Sequence, residues 1–233
     1  MKLSRLKIFS AQLEIYKIST YTKSYDQKPV IVLGAGGHAK VVVEALRLNG
    51  RNIIGVTNKE KNLGDKFIGI NVLGDDSKIF DYSSNEVELV MGIGALPGNN
   101  NHWEITARLE SEGYSFSQVI HPSAVIAQDV SLDSGVLIMA GVIIQAGAKI
   151  GRHCIVNTGC IIDHDCIIDA KCHIAPGVTL SGGVSVGKAT HIGTGTSVIQ
   201  NITIGSDCLI AAGSIVHEDI ESNVKYVQPR HIQ

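Results

Sequence analysis

The chain has 233 residues, a net charge of −2 and only 5% aromatic residues. That length holds one or two domains with substantial cores, and the charge balance offers neither a basic stripe nor a stacking platform for nucleic acid. No apolar run approaches the ~20 residues of a membrane span, and the N-terminus lacks the apolar core and cleavage site of a signal peptide, so a cytoplasmic protein is expected.

Residues 1–28 place Leu3, Leu6, Phe9, Leu13 and Tyr16 at helical spacing among Lys2, Arg5, Lys7 and Lys17. The pattern fits an amphipathic helix or a tail outside the folded unit. Residues 29–120 then read as a small Rossmann-like α/β unit. Val30–Leu33 is an apolar, β-branched run typical of a buried parallel strand. It ends in Gly34-Ala35-Gly36-Gly37-His38-Ala39-Lys40 and passes into a helix through about Asn49. Strands are predicted over 52–56 and 87–93, and a helix over about 102–112 with Gly113 as its C-cap residue.

The glycines Gly34, Gly36 and Gly37 do not reproduce G-x-G-x-x-G, and Thr57-Asn58 stands where an acidic ribose ligand is expected. NAD is therefore not expected. The loop is either a tight strand-to-helix turn or an anion site, since backbone N–H groups at a helix N-terminus attract phosphate.

From Ile126 every sixth residue through Val216 is Ile, Leu or Val, sixteen positions without a slip. Two residues before each lies a smaller position, among them Ala124, Val142, Cys160 and Thr196. A six-residue period marks a parallel β-helix, here over 121–233. Each hexad gives a short strand whose first and third residues point inward, then a corner. The turn formers just after each aliphatic, such as Gly151, Asn157 and Asp163, are predicted to turn it at positive φ. Three hexads make a coil, so residues eighteen apart stack; at ~4.8 Å per coil the prism is about five coils and roughly 25 Å tall. All five cysteines, Cys154, Cys160, Cys166, Cys172 and Cys208, fall in the small inward slot, which reads as core filling rather than disulfide or zinc.

Unbroken hexads resemble the left-handed β-helix acyltransferases. The leading V-I-V-L-G-A-G-G-H-A-K and the V-I-H-P-S-A-V-I-A that opens the hexads resemble the bacterial sugar O/N-acyltransferases, over about residues 29–217. Members usually begin near Pro29. Two departures stand out: Thr57-Asn58 replaces the acids common after the second strand of UDP-sugar members, and Val227-Gln228-Pro229-Arg230 replaces a closing Gly-x-Pro-Ala-Lys segment.

The resemblance implies acetyl-CoA as co-substrate, a nucleotide-sugar acceptor, no metal, and a homotrimer with active sites between subunits. Asn157-Thr158 followed by His164-Asp165 matches the family's N-T-x-x-x-x-x-H-[DE] segment. It implies His164 as general base and Asp165 as its orienting partner. Gly182, eighteen residues on, is implied to present its N–H to the acetyl carbonyl, with Ser181-Gly182-Gly183 leaving the backbone open to a thioester. His173 is implied to line the acetyl-CoA pocket, and Gly34, Gly36, Gly37, His38 and Asn157 the acceptor site. His173 and His191 stack outward, facing solvent or another subunit, without the third histidine and H-x4-H spacing of β-helix carbonic anhydrases.

The expected function is N-acetylation of a nucleotide-linked 4-amino-4,6-dideoxy sugar for surface glycan synthesis. The alternatives are O-acetylation of sialic acid or a related nonulosonate, and, in a different class, a non-catalytic sugar-nucleotide binding module.

Overall fold

The structure, a computed structural model, describes residues 27–60, 63–94 and 101–227. The helical pattern at Leu3–Tyr16 and the Pro229-Arg230 segment lie outside these residues.

Strand β1 (Val30–Leu33) is buried along its whole length. Strands β2 (Ile53–Thr57) and β5 (Glu88–Met91) pair with it in parallel on either side. Helix α1 (Gly37–Leu48) buries Ala39, Val42, Val43, Ala45 and Leu46 as one apolar stripe. Helix α2 (Asn101–Ser111) is followed by Gly113 at φ +87°, the left-handed conformation of a C-cap glycine.

The sheet is larger than the sequence reading gives. Strand β4 (Ile70–Gly74) adds in parallel to β2, and β3 (Lys66–Phe67) pairs antiparallel with β4, giving the order β3-β4-β2-β1-β5. The hairpin's apolar alternation is limited to Ile70-Asn71-Val72, too short to mark a strand by itself. Its turn residues Ile68 (φ 44°) and Gly69 (φ 84°) are both left-handed, as a two-residue hairpin turn requires. The Arg47 guanidinium donates to the Ile68 carbonyl.

The hexads form three parallel sheets of six, five and seven two-residue strands, the faces of a prism. Ile143 pairs with Ile161 and Ile161 with Thr179, so the stack follows the eighteen-residue spacing. The prism starts at Val119–Ile120, which pairs with Leu137–Ile138, two residues before the expected boundary at 121. Inward aliphatics from Ile138 to Val216 fill one continuous core.

The corners differ from the expectation. Positive φ falls three residues after every aliphatic from Leu132 to Ile210, for example at Gly147, His153, Gly159, Asp165 and Lys171, rather than at Gly151, Asn157 and Asp163. Gly151 is small for another reason: a Cβ there would lie 2.6 Å from Ala170 N in the next coil. Asn157 and Asp163 instead use their side chains, accepting from the N–H groups of Thr158 (2.8 Å) and His164 (2.7 Å).

The cysteine slots do more than fill space. Cys154, Cys160, Cys166 and Cys172 each donate S–H to the carbonyl fifteen residues on, at 2.9–3.2 Å. Thr190 and Thr196 make the same bond with hydroxyls. A small donor in this slot satisfies a corner carbonyl that the ladder leaves unpaired.

The α/β unit packs on the seven-strand face. Leu137, Met139 and Ile155 project from that face and are buried in the α/β unit's core. Phe116 meets the ring of His153 edge-on at 5.2 Å, and His153 Nε2 lies 2.9 Å from Glu110 Oε1 on α2. Asn49 at the end of α1 donates to Ile120 O at 2.8 Å.

Burial lifts the Cys160 thiol to about 11, against backbone hydrogen bonds that pull the other way, leaving little thiolate at neutral pH. A thiol reagent at pH 7.5 should therefore label few of the five cysteines in folded protein and all five in denaturant. Rapid native labelling of all five would contradict the packed prism.

Candidate active site

His164 stands on the corner between the six-strand and five-strand faces, two residues past inward Ile162. Its side chain is 62% exposed. Asp165, next in the chain, adopts φ +59°, and this left-handed turn brings its carboxylate back alongside the ring. Asp165 Oδ2 lies 2.8 Å from His164 Nδ1. The contact holds the proton on Nδ1 and leaves the Nε2 lone pair available. The hydrogen bond to Asp165, assisted by the charge of Asp163, raises the His164 pKa above that of an ordinary histidine.

Gly182 lies one coil further on and is buried beneath this ring. A Cβ on Gly182 would sit 2.5 Å from His164 Cε1 and Nε2. The expectation of an open backbone is thus corrected: the imidazole itself occupies that space. The carbonyl of Gly182 accepts from Asn201 N, while its N–H makes no hydrogen bond among the described residues. A histidine nitrogen and an uncommitted amide therefore sit side by side at the prism edge.

The other expected residues lie elsewhere. His173 is on the seven-strand face, opposite the His164 edge, with Asn157 Nδ2 3.3 Å from His173 Nε2. His191 stacks edge-on to His173, ring centroids 4.7 Å apart. Both are half-buried rather than open to solvent. Burial, with the neighbouring His173, pushes the His191 pKa down to about 4.

The glycine loop lies at the C-terminal edge of the parallel sheet, in the unit that covers this same seven-strand face. Gly34 (φ +94°) is required locally, since a Cβ would meet Ile93 Cγ1 at 2.7 Å. Gly36 and Gly37 have neither positive φ nor any atom within 4 Å of a Cβ, so their own packing does not demand glycine. Helix α1 begins here with no side-chain cap and no acidic residue in its first turn. His38 packs against Gly94 on the neighbouring strand end.

Sequence reading missed Asp76. Thr57 is fully buried; its hydroxyl accepts from Gly34 N at 3.3 Å and donates to Asp76 Oδ1 at 2.6 Å. The only signal was the Asp75-Asp76 pair after β4, a strand that was itself not read.

On the five-strand face, beside the His164 corner, runs a groove of about 520 Å³ lined by Lys149, Ile167, Ser185 and Thr203 among others. Exposed Ile161 and Ile167 flank His164 on its two sides. No described helix is long and apolar enough to cross a membrane.

Stacked hexads carrying a corner His–Asp pair, headed by a small, mostly parallel α/β sheet, define a β-helix protein of the hexapeptide-repeat acyltransferase class. Residues 29–109 match the PglD N-terminal domain. A perosamine N-acetyltransferase variant from Caulobacter crescentus, in complex with CoA and GDP-perosamine, is 36% identical; the match covers 84% of this chain and 91% of that one, with a TM-score of 0.78. The acetyltransferase domain of PglB from Neisseria gonorrhoeae, in complex with acetyl coenzyme A, is 30% identical over 84% of this chain and 94% of that one, TM-score 0.77. No curated protein gives a significant match. The chain belongs to the bacterial sugar acyltransferases of the hexapeptide-repeat family, whose solenoid is a left-handed β-helix.

A histidine titration by NMR tests the electrostatics of the two sites. The His164 ring should titrate above an ordinary histidine, and His191 should stay neutral until the pH approaches about 4. Asp165→Asn removes the carboxylate charge and weakens the hydrogen bond that favours the imidazolium, so it should move the His164 midpoint to lower pH. An unmoved midpoint would mean that the pair is not formed in solution.

Proposed function

We propose that the chain transfers acetyl from acetyl-CoA to the amino group of a nucleotide-linked 4-amino-4,6-dideoxy sugar. The observation that carries this reading is the His164–Asp165 pair over the Gly182 amide, in a chain 36–37% identical to structures of a GDP-perosamine N-acetyltransferase. Two of those structures are of variants in which one histidine is replaced, which supports a working role for a histidine.

In this mechanism the acceptor amine attacks the thioester carbonyl while His164 Nε2 takes its proton. Asp165 keeps the ring oriented and supports the imidazolium that forms. General-base help of this kind contributes typically ~10²–10⁴-fold. The Gly182 N–H donates to the oxyanion of the tetrahedral intermediate, which collapses with departure of the CoA thiolate. Holding amine and thioester together supplies the entropic part of the acceleration. The open glycines Gly36 and Gly37 at the uncapped start of α1, with His38 beside them, receive the diphosphate of the acceptor.

The assembly we infer is a homotrimer with each site between two prisms. Within one chain His164 sits on the edge opposite the face that carries His173, Asn157 and the α/β unit, so these groups meet only across two chains. The aliphatic residues Val125, Ile161, Ile167 and Ile215, exposed on the two faces beside His164, supply apolar surface for that contact. Closed cyclic assembly follows from identical flat-sided subunits. In this reading residues 29–120 hold the nucleotide, the solenoid carries the transfer, and His173 and Asn157 line the acetyl-CoA and acceptor pockets. Thiols kept reduced and co-substrates of central metabolism suit a cytoplasmic enzyme.

His164→Ala should keep the fold, since the side chain lies outside the core, and should lower kcat by ~10²-fold or more in a CoA-release assay. Gly182→Ala should also fold, because the exposed ring can swing away from the new Cβ, yet should lose most of its activity. Near-normal kcat for His164→Ala at saturating acceptor would place proton removal elsewhere. The assay should use GDP- and UDP-linked amino sugars with free nonulosonates; turnover confined to the last would favour O-acetylation.

Gly36→Thr retains an adequate helix-capping residue while filling the space above the loop. It should raise the KM of the acceptor far more than that of acetyl-CoA. Refolded together and assayed at an acceptor concentration well below the raised KM, Gly36→Thr and His164→Ala chains should show more activity than either has alone. Absence of recovery in mixed oligomers would argue against a shared site.

A further inference from the structure

The end of the second parallel strand is where a sheet of this kind places an acid against the ribose of a bound nucleotide. Here that position is Thr57-Asn58. Asn58 offers little replacement, because its side-chain oxygen already accepts from Glu60 N at 2.8 Å. The fold brings an acid to the same place from another element. Strand β4 lies alongside β2 and leads into a 3₁₀ helix, Asp76–Asp81, whose first residue turns towards Thr57.

The two neighbouring aspartates have separate duties. Asp75 caps the 3₁₀ helix, accepting from the backbone N–H and the hydroxyl of Ser77 at 2.9 and 2.6 Å. Asp76 takes no part in that cap. Its Oδ1 accepts from the buried Thr57 hydroxyl, which in turn accepts from the Gly34 N–H of the glycine loop. Among the described residues Asp76 has no ion pair, and its Oδ2 has no hydrogen-bond donor. A half-buried carboxylate, fixed by one oxygen on the Thr57 hydroxyl and open at the other, stands beside the glycine loop.

We propose that Asp76, oriented by Thr57, binds the ribose cis-diol of the nucleotide-sugar acceptor. The inference rests on the proposed nucleotide-sugar activity and adds the residue that recognises the nucleoside. The choice of ribose follows from position. The phosphates belong at the start of α1, one strand away from Thr57, and adjacent strands are ~4.8 Å apart. The sugar next to the phosphates therefore reaches the carboxylate before the base does. An ionised carboxylate is an acceptor with room for two hydroxyl donors, and bonds to it are about twice as strong as neutral ones.

Calorimetric titration of the full-length protein with GDP, UDP and their 2′,3′-dideoxy forms tests this. The wild type should bind whichever ribonucleotide it accepts at least roughly ten-fold more tightly than its dideoxy form, the usual worth of a hydrogen bond to a charged group. Asp76→Ala should reduce that preference to within about two-fold while binding acetyl-CoA as before. Thr57→Ser should keep the preference, because the hydroxyl remains. A full ribose preference in Asp76→Ala, or none in the wild type, overturns the assignment and leaves the acetyl-transfer reading standing. If neither GDP nor UDP binds and no nucleotide-linked amino sugar is acetylated, the acceptor reading falls and the assignment with it.

Discussion

Backbone hydrogen bonding between coils is the constraint on which the molecule depends. Ile161 N donates to Val178 O at 2.9 Å, and Thr179 N to Thr196 O at 2.9 Å, a relation repeated around the prism. Once these bonds fix the rise, an outward residue that no other element covers finds its nearest neighbours in the stack, eighteen residues away, or at the corner beside it. His164 reaches Gly182 by the first route and Asp165 by the second. The catalytic geometry that we infer is thus a property of the stack rather than of a flexible loop. A site held on rigid elements keeps its alignment at low entropic cost.

The corners carry the strain of this arrangement. A triangular coil needs a left-handed residue at nearly every turn, and glycine is the cheapest choice. At Asp165 the chain accepts a non-glycine residue at φ +59°, and aspartate is among the side chains that tolerate this region best. In return its carboxylate folds back onto Nδ1 of His164. At His153 the same conformation (φ +58°) sets an imidazole against Phe116 and Glu110 of the α/β unit, and so fastens that unit to the seven-strand face. One backbone state at equivalent corners thus serves domain docking at one position and side-chain orientation at the other.

The α/β unit and the His164 edge lie on opposite sides of one prism. A monomer therefore separates the residues proposed for the acceptor from the residue proposed to act on it. In the proposed trimer, association of flat faces around an axis would reunite them and cover the exposed aliphatic residues beside His164. Assembly and activity are coupled in this reading, since neither half-site is complete alone.

Much of this was legible in the sequence because a solenoid is nearly one-dimensional. A period of six, read from Ile126 to Val216, sets the stack, the inward slots and the partner of every outward residue. It therefore placed the buried cysteines, Gly182 against His164 and His173 against His191 without any knowledge of distant contacts. The sequence could not say which corner residue would take positive φ, because Gly, Asn and Asp occur at both corner positions and only the coil geometry separates them. Nor could it find the β3–β4 hairpin, whose alternation is confined to Ile70-Asn71-Val72 and which is held by the pairing of β4 with β2. Asp76 was hidden for the same reason: its place beside Thr57 and Gly34 depends on that added strand. The burial of Leu137, Met139 and Ile155, outward by their position in the hexad, was likewise decided by docking of the α/β unit. Local periodicity fixed what repeats, and tertiary packing decided what happens where the repeat meets something else.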